Sequence, residues 1–156
     1  MVTSTDTRLM AALKQSQANA ITLYLNNKRY HWFTFGPLFR DLHLFFDEMA
    51  AGALAEIDPF GERLRMLGGD PISTPDEIRQ CCSIRIADGK PAPRQMLEEA
   101  LENERQVIRE MRDAARQAEE DNDYGTNDLF ATLVQNHEKN AWFIEEFLRR
   151  GDAMVS

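Results

Sequence analysis

The chain has 156 residues, 43% of them hydrophobic and 28% charged, with 18 basic against 26 acidic side chains and a net charge of −8. That length suits one domain spanning residues 1–156, with a core that needs no covalent staples. The acidic balance disfavours a phosphate backbone as partner and favours cations. No apolar run approaches the length of a membrane span, and the polar Met1–Arg8 start carries no signal peptide, so the expected location is the cytoplasm.

Four long helical segments and one long connection follow in chain order. The first runs from about Thr7 to Thr34, where Met10, Leu13, Ile21, Tyr24 and His31 share one face at helical spacing. Gly36-Pro37 breaks it, with the proline suited to the first turn of the next helix. That helix extends from about Leu38 to Leu67, and Leu42, Phe46, Met49, Ala53, Ile57, Phe60 and Leu64 form its apolar stripe. Gly68-Gly69 is its stop. Residues 70–93 hold Pro71, Pro75, Pro91 and Pro93 and form the longest link; Ser73-Thr74-Pro75-Asp76-Glu77 can open one short helix there. The adjacent Cys81 and Cys82 read as two reduced loop thiols. A third long helix is expected from about Arg94 to Glu120, with Met96, Leu97, Leu101, Ile108, Met111 and Ala115 inward. After a turn at Asp121–Gly125, the fourth runs from about Asn127 to Arg150, with Leu129, Leu133, Trp142, Ile144 and Phe147 available for burial. No strand periodicity competes. The fold expected is all-α: a four-helix bundle whose long crossover carries one short helix.

The second helix carries two pairs at one-turn spacing, His43 with Asp47 and Asp58 with Glu62. With His43 at zero, the other three fall within about 100° of it, on one stripe away from the core face. Imidazole and carboxylate are ligands for iron, manganese or zinc. His43 and Asp58 lie about 22 Å apart along one helix, so a single copy cannot close both pairs on one ion. Two copies can. If the helix packs antiparallel on itself about a two-fold axis near residues 52 and 53, His43 and Asp47 of one copy meet Glu62 and Asp58 of the other, at two equivalent sites. Ala50, Ala51, Gly52, Ala53 and Ala55 are small enough for a close approach. His31 can join His43 if the first two helices pack antiparallel. Pro59 and Gly61 fall inside the Asp58–Glu62 turn, where a kink is expected. The same residues are also what a solvated helix face and a core histidine provide, so the spacing leaves both readings standing.

The stretch His31-Trp32, Gly36, Phe39, Leu42-His43, Phe46-Asp47-Glu48, Asp58, Glu62-Arg63 and Leu67-Gly68-Gly69 resembles the signature of the Dps family, the mini-ferritins; a weaker resemblance continues through His137-Glu138-Lys139 and Trp142-Phe143-Ile144. The resemblance implies a ferritin-like bundle assembled into a homododecameric cage. It implies an intersubunit iron-oxidation site with His31, His43 and Asp47 from one subunit and Asp58 and Glu62 from the other. It also implies ferroxidase activity that protects against oxidative stress by oxidising Fe(II) with hydrogen peroxide and storing the product. Zn²⁺ is a possible surrogate metal. Trp32 would either donate an electron near the iron or simply pack at the interface. Asp121, Asp123 and Asp128 would line an iron-entry pore, or else cap a helix. The alternative is a DNA-compacting protein with secondary iron chemistry; against it, the first ten residues hold only one cation, Arg8, and the tail from Asp152 to Ser156 is acidic. Ferritins that bind their metals inside one bundle need Glu-x-x-His motifs, and none of His31, His43 and His137 has a Glu three residues before it.

Overall fold

The computed structural model describes residues 4–151; the acidic tail Asp152–Ser156, which argues against nucleic acid, lies outside them. Five helices follow in order: α1 (Ser4–Phe33), α2 (Phe39–Met66), α3 (Pro75–Cys81), α4 (Pro93–Glu120) and α5 (Tyr124–Leu148). The described residues contain no strand. Helices α1 and α2 pack along their length, as do α4 and α5, and α4 and α3 lie against α1. No described helix is long and apolar enough to cross a membrane.

The helix ends follow local chemistry. Helix α2 stops in a Schellman motif: Gly68 takes φ +82°, its N–H donates to Arg65, and the Gly69 N–H donates to the Leu64 carbonyl at 2.8 Å. Helix α4 ends the same way on Asn122 at φ 59°, with the Asp123 N–H donating to Ala118. Asp123 then accepts from the Thr126 N–H and caps α5. One residue thus closes one helix and opens the next, so α5 begins at Tyr124, ahead of the expected Asn127. Helix α1 likewise begins ahead of its expected start. Helix α3 opens on a complete capping box between Thr74 and Glu77, with Pro75 in the first turn. Cys81 is the last residue of α3, where a loop was expected; both cysteines are free thiols. Pro37 sits in the turn before α2 rather than in its first turn.

The α2 stripe is inward as expected, with Phe46, Phe60 and Leu64 fully buried and Ile57 half-buried. Two other faces differ from expectation. On α1, Met10, Ile21, Tyr24 and His31 are only half-buried, while Leu13, Ala20, Leu23 and Tyr30 are buried beside Gln17, Asn19, Asn26 and Asn27. Those amides have backbone to serve. The crossover at 82–87 lies along α1 and α4: Asn19 accepts from the Ser83 N–H, Asn26 bonds the Arg85 carbonyl and the Ala87 N–H, and Asn103 bonds both backbone groups of Arg85. Polar residues are therefore required inside, because the crossover forms no ladder of its own. On α5 the inward face is Phe130, Val134, His137, Ala141 and Ile144; Trp142, expected inside, is exposed. Of the small residues assigned to a partner-facing strip, Ala50 and Ala53 are buried in the chain's own core, while Ala51, Gly52 and Ala55 are exposed.

Candidate metal centre

Antiparallel packing of α1 on α2 brings His31 and His43 together. Their rings stack at 3.7 Å with an interplanar angle of 14°. The hydrogen bonding is reciprocal: Nδ1 of His31 lies 2.6 Å from the His43 carbonyl, and Nδ1 of His43 lies 2.7 Å from the His31 carbonyl. A carbonyl only accepts, so both Nδ1 atoms carry hydrogen and both Nε2 atoms keep a free lone pair when the rings are neutral. Fixing the tautomer through a carbonyl is the usual outer-shell device of metal-binding imidazoles. Phe39 also stacks on His43, with ring centroids 5.0 Å apart.

Asp47 stands one turn after His43 on α2. Its carboxylate is 2.6 Å from the ammonium of Lys28, which stands one turn before His31 on α1. The Lys28 hydrogen bond, with smaller contributions from its charge and from the two histidines, holds the Asp47 carboxyl below its usual range. Among the described residues, no three His, Cys, Asp or Glu side chains converge on one point suited to a metal. Asp58 and Glu62 are exposed and line an open groove of their own with Gln17, Gly61, Arg65 and Ile72. Helix α2 runs unbroken from Phe39 to Met66 with Pro59 inside it. Trp32 is 66% exposed beside His31.

The acids at the α4–α5 turn divide. Asp123 is committed to structure: it caps α5 and accepts from Arg63 at 2.6 Å, while Arg63 also donates to Thr126. Burial works against its ionisation, but the Thr126 and Arg63 hydrogen bonds outweigh that and hold its pKa low. Asp121 is half-buried and accepts from Gln117, and Asp128 is exposed.

The bundle also holds a buried polar centre that no sequence motif marks. His137 on α5 is 2% exposed and stands between Glu104 of α4, 2.6 Å from Nδ1, and Glu56 of α2, 2.9 Å from Nε2. Burial alone would strip the imidazole of its second proton. The two carboxylates reverse this and lift its pKa to about 10. His137 and Glu104 were legible as a pair only with the register of α4 against α5 in hand. Lys28 had a local signal, its one-turn spacing from His31.

Comparison with known proteins agrees with this architecture. A family model for the ferritin-like domain matches residues 10–154. The chain is 44% identical to Dps from Thermosynechococcus elongatus, whose structure superposes with a TM-score of 0.96 and coverage of 99% of both chains. It is 30% identical over 148 residues to the DNA protection during starvation protein of Brevibacillus brevis, covering 95% of this chain and 99% of that one. It is also 30% identical to general stress protein 20U of Bacillus subtilis, over 90% of this chain and 97% of the relative. With the ferritin-like model spanning nearly all of its length and Dps proteins matching it end to end in sequence and in fold, the chain belongs to the ferritin-like superfamily and, within it, to the Dps family.

Proposed function

We propose that the chain is a ferroxidase subunit of a dodecameric iron-storage cage. The observation that carries this reading is the reciprocal histidine pair, which leaves two Nε2 lone pairs side by side next to an ionised Asp47. Fe(II) is the substrate. His31, His43 and Asp47 of one copy supply two nitrogen donors and a carboxylate, a set that fits Fe(II) and also Zn²⁺ as a surrogate. Asp58 and Glu62 of a second copy supply the oxygen ligands that favour the harder Fe(III) product. With hydrogen peroxide as oxidant, each of two Fe(II) ions gives up one electron, the O–O bond breaks, and two protons are taken up to give two waters. No single-electron oxygen radical is released, and the ferric product hydrolyses in the cage. Such chemistry suits the cytoplasm under oxidative stress. Trp32 either gives the second electron when only one Fe(II) is bound or packs at the interface, and the exposed Asp128, with Asp121, attracts entering cations.

The test is stopped-flow absorbance in the near ultraviolet after anaerobic Fe(II)-loaded protein meets peroxide, for wild type and His43→Ala. A fast ferric signal that the substitution abolishes supports the reading. A wild-type trace equal to a protein-free blank overturns it. Relatives named for DNA protection favour a second reading, direct DNA binding. A gel shift at low salt tests it. The net charge of −8 predicts no retardation.

A further inference from the structure

Pro59 and Gly61 weaken the one turn of α2 that carries both carboxylates. Pro59 has no N–H for the Ala55 carbonyl, and glycine is the least restrained residue in a helix. The buried side chain of Gln17 on α1 reaches this turn. Its Nε2 donates to the Ile57 carbonyl at 3.3 Å, and its Oε1 accepts from the Ile72 N–H at 2.9 Å. Gln17 is only 5% exposed, and it lines the same open groove as Asp58 and Glu62. Gly61 is what lets it arrive: a Cβ there would stand 2.9 Å from Gln17 Nε2 and 3.7 Å from Pro71.

We infer that Gln17 is a positioning residue for the Asp58–Glu62 half of the metal site, and that Gly61 is the notch that admits it. This rests on the proposed function, since it assumes that Asp58 and Glu62 are ligands. One amide ties three segments: α1, the ligand turn of α2, and the chain after α2 that runs toward α3. It supplies a hydrogen bond to the turn that Pro59 and Gly61 leave soft, and it fixes the turn's rotation so that both carboxylates present to a second copy in one geometry. Gln17 itself contacts neither metal nor oxidant. Removing an outer-shell support of this kind lowers metal affinity by about tenfold or more without removing a ligand.

The experiment is an anaerobic titration of the full-length protein with Co(II), read by its visible bands, whose energies and intensities report ligand geometry rather than turnover. The proteins are wild type, Gln17→Met, Gly61→Ala, the Gln17→Ala/Gly61→Ala double variant, and His43→Ala, each checked for wild-type helicity and size. The expected result is about tenfold weaker Co(II) binding with altered bands in both single variants. The double variant stays weak because the amide is absent even though the crowding is relieved. Wild-type affinity and spectrum in Gln17→Met overturn the inference, as does full recovery in the double variant, which would reduce Gly61 to a matter of crowding. If Gly61→Ala does not fold, Gln17→Met alone decides. Wild type whose Co(II) bands are unchanged in His43→Ala overturns the proposed site itself. Bands lost in His43→Ala but intact in Gln17→Met overturn only the role of Gln17.

Discussion

Replacing His137 with glutamine removes the imidazolium from the polar centre of the bundle. The imidazole is 2% exposed, with Glu104 at 2.6 Å and Glu56 at 2.9 Å, each nearly as buried. Its pKa in the fold is about 10 against an ordinary 6.5. A pKa raised by folding gives stability that is complete below pH 6.5 and is lost as pH climbs through about 10. That interval, at about 1.4 kcal/mol per pH unit, sets a ceiling of about 5 kcal/mol. Glutamine can neither carry the charge nor reach both carboxylates, so two acids are left facing each other in the core. Breaking a buried ion pair in this way costs about 3–5 kcal/mol. For a chain of this length each kcal/mol is worth about 2–4 °C, so the variant melts about 10 °C lower near neutral pH. The assay is thermal unfolding followed by circular dichroism from pH 6 to 10, at fixed protein concentration because assembly also stabilises. The Glu56→Gln/His137→Gln/Glu104→Gln variant is the reference: it removes the charges together, regains part of the loss, and lacks the alkaline slope assigned to His137. A parallel decline of wild type and this reference between pH 6.5 and 10, or a His137→Gln variant that melts with wild type at pH 6.5, would rule out a charged His137.

Three further substitutions have defined outcomes. Gly125→Ala places a methyl group 2.6–2.8 Å from the Arg63 guanidinium and forces it off Asp123 and Thr126; a loss of about 2–3 kcal/mol is expected in urea unfolding, and adding Arg63→Ala should cost little more. Lys28→Met frees Asp47 from its ammonium partner. Co(II) binding should tighten a few-fold, and unchanged or weaker binding would show that Lys28 does not compete for that carboxylate. Thr74→Ala removes the capping box of α3; about 1 kcal/mol of local stability should be lost, visible as faster amide exchange confined to α3 and the residues after it.

The all-α class, the crossover with its short helix and most of the α2 and α4 core faces were legible because they rest on local rules. Gly68-Gly69 and Thr74-x-x-Glu77 dictate backbone conformation within a few residues, and Phe46, Phe60 and Leu64 recur at helical period on a helix with one buried face. The approach of His31 to His43 was accessible for the same reason: one-turn spacings place side chains on a common face, and an antiparallel hairpin brings two faces together. Asp58 and Glu62 could be nominated by spacing, but the described chain keeps them in a groove of their own.

What periodicity could not supply was the environment on the far side of each helix. Helix α1 is flanked by α2, α3, α4 and the crossover, so much of its circumference is buried, and its inward residues include Gln17, Asn19, Asn26 and Asn27 because an unpaired backbone lies against them. No amphipathic pattern marks such a helix. Trp142 looks like a core residue by type, yet the rotation of α5 is set by His137, which turns inward to meet acids from two other helices. The helices and the ligand-like spacings could be read from the residues alone, since those depend on neighbours within a turn or two. The tautomers of His31 and His43, the Lys28–Asp47 pair, the Gln17 hydrogen bonds and the charge buried at His137 came with packing. Each of these depends on what a different helix places within hydrogen-bonding distance.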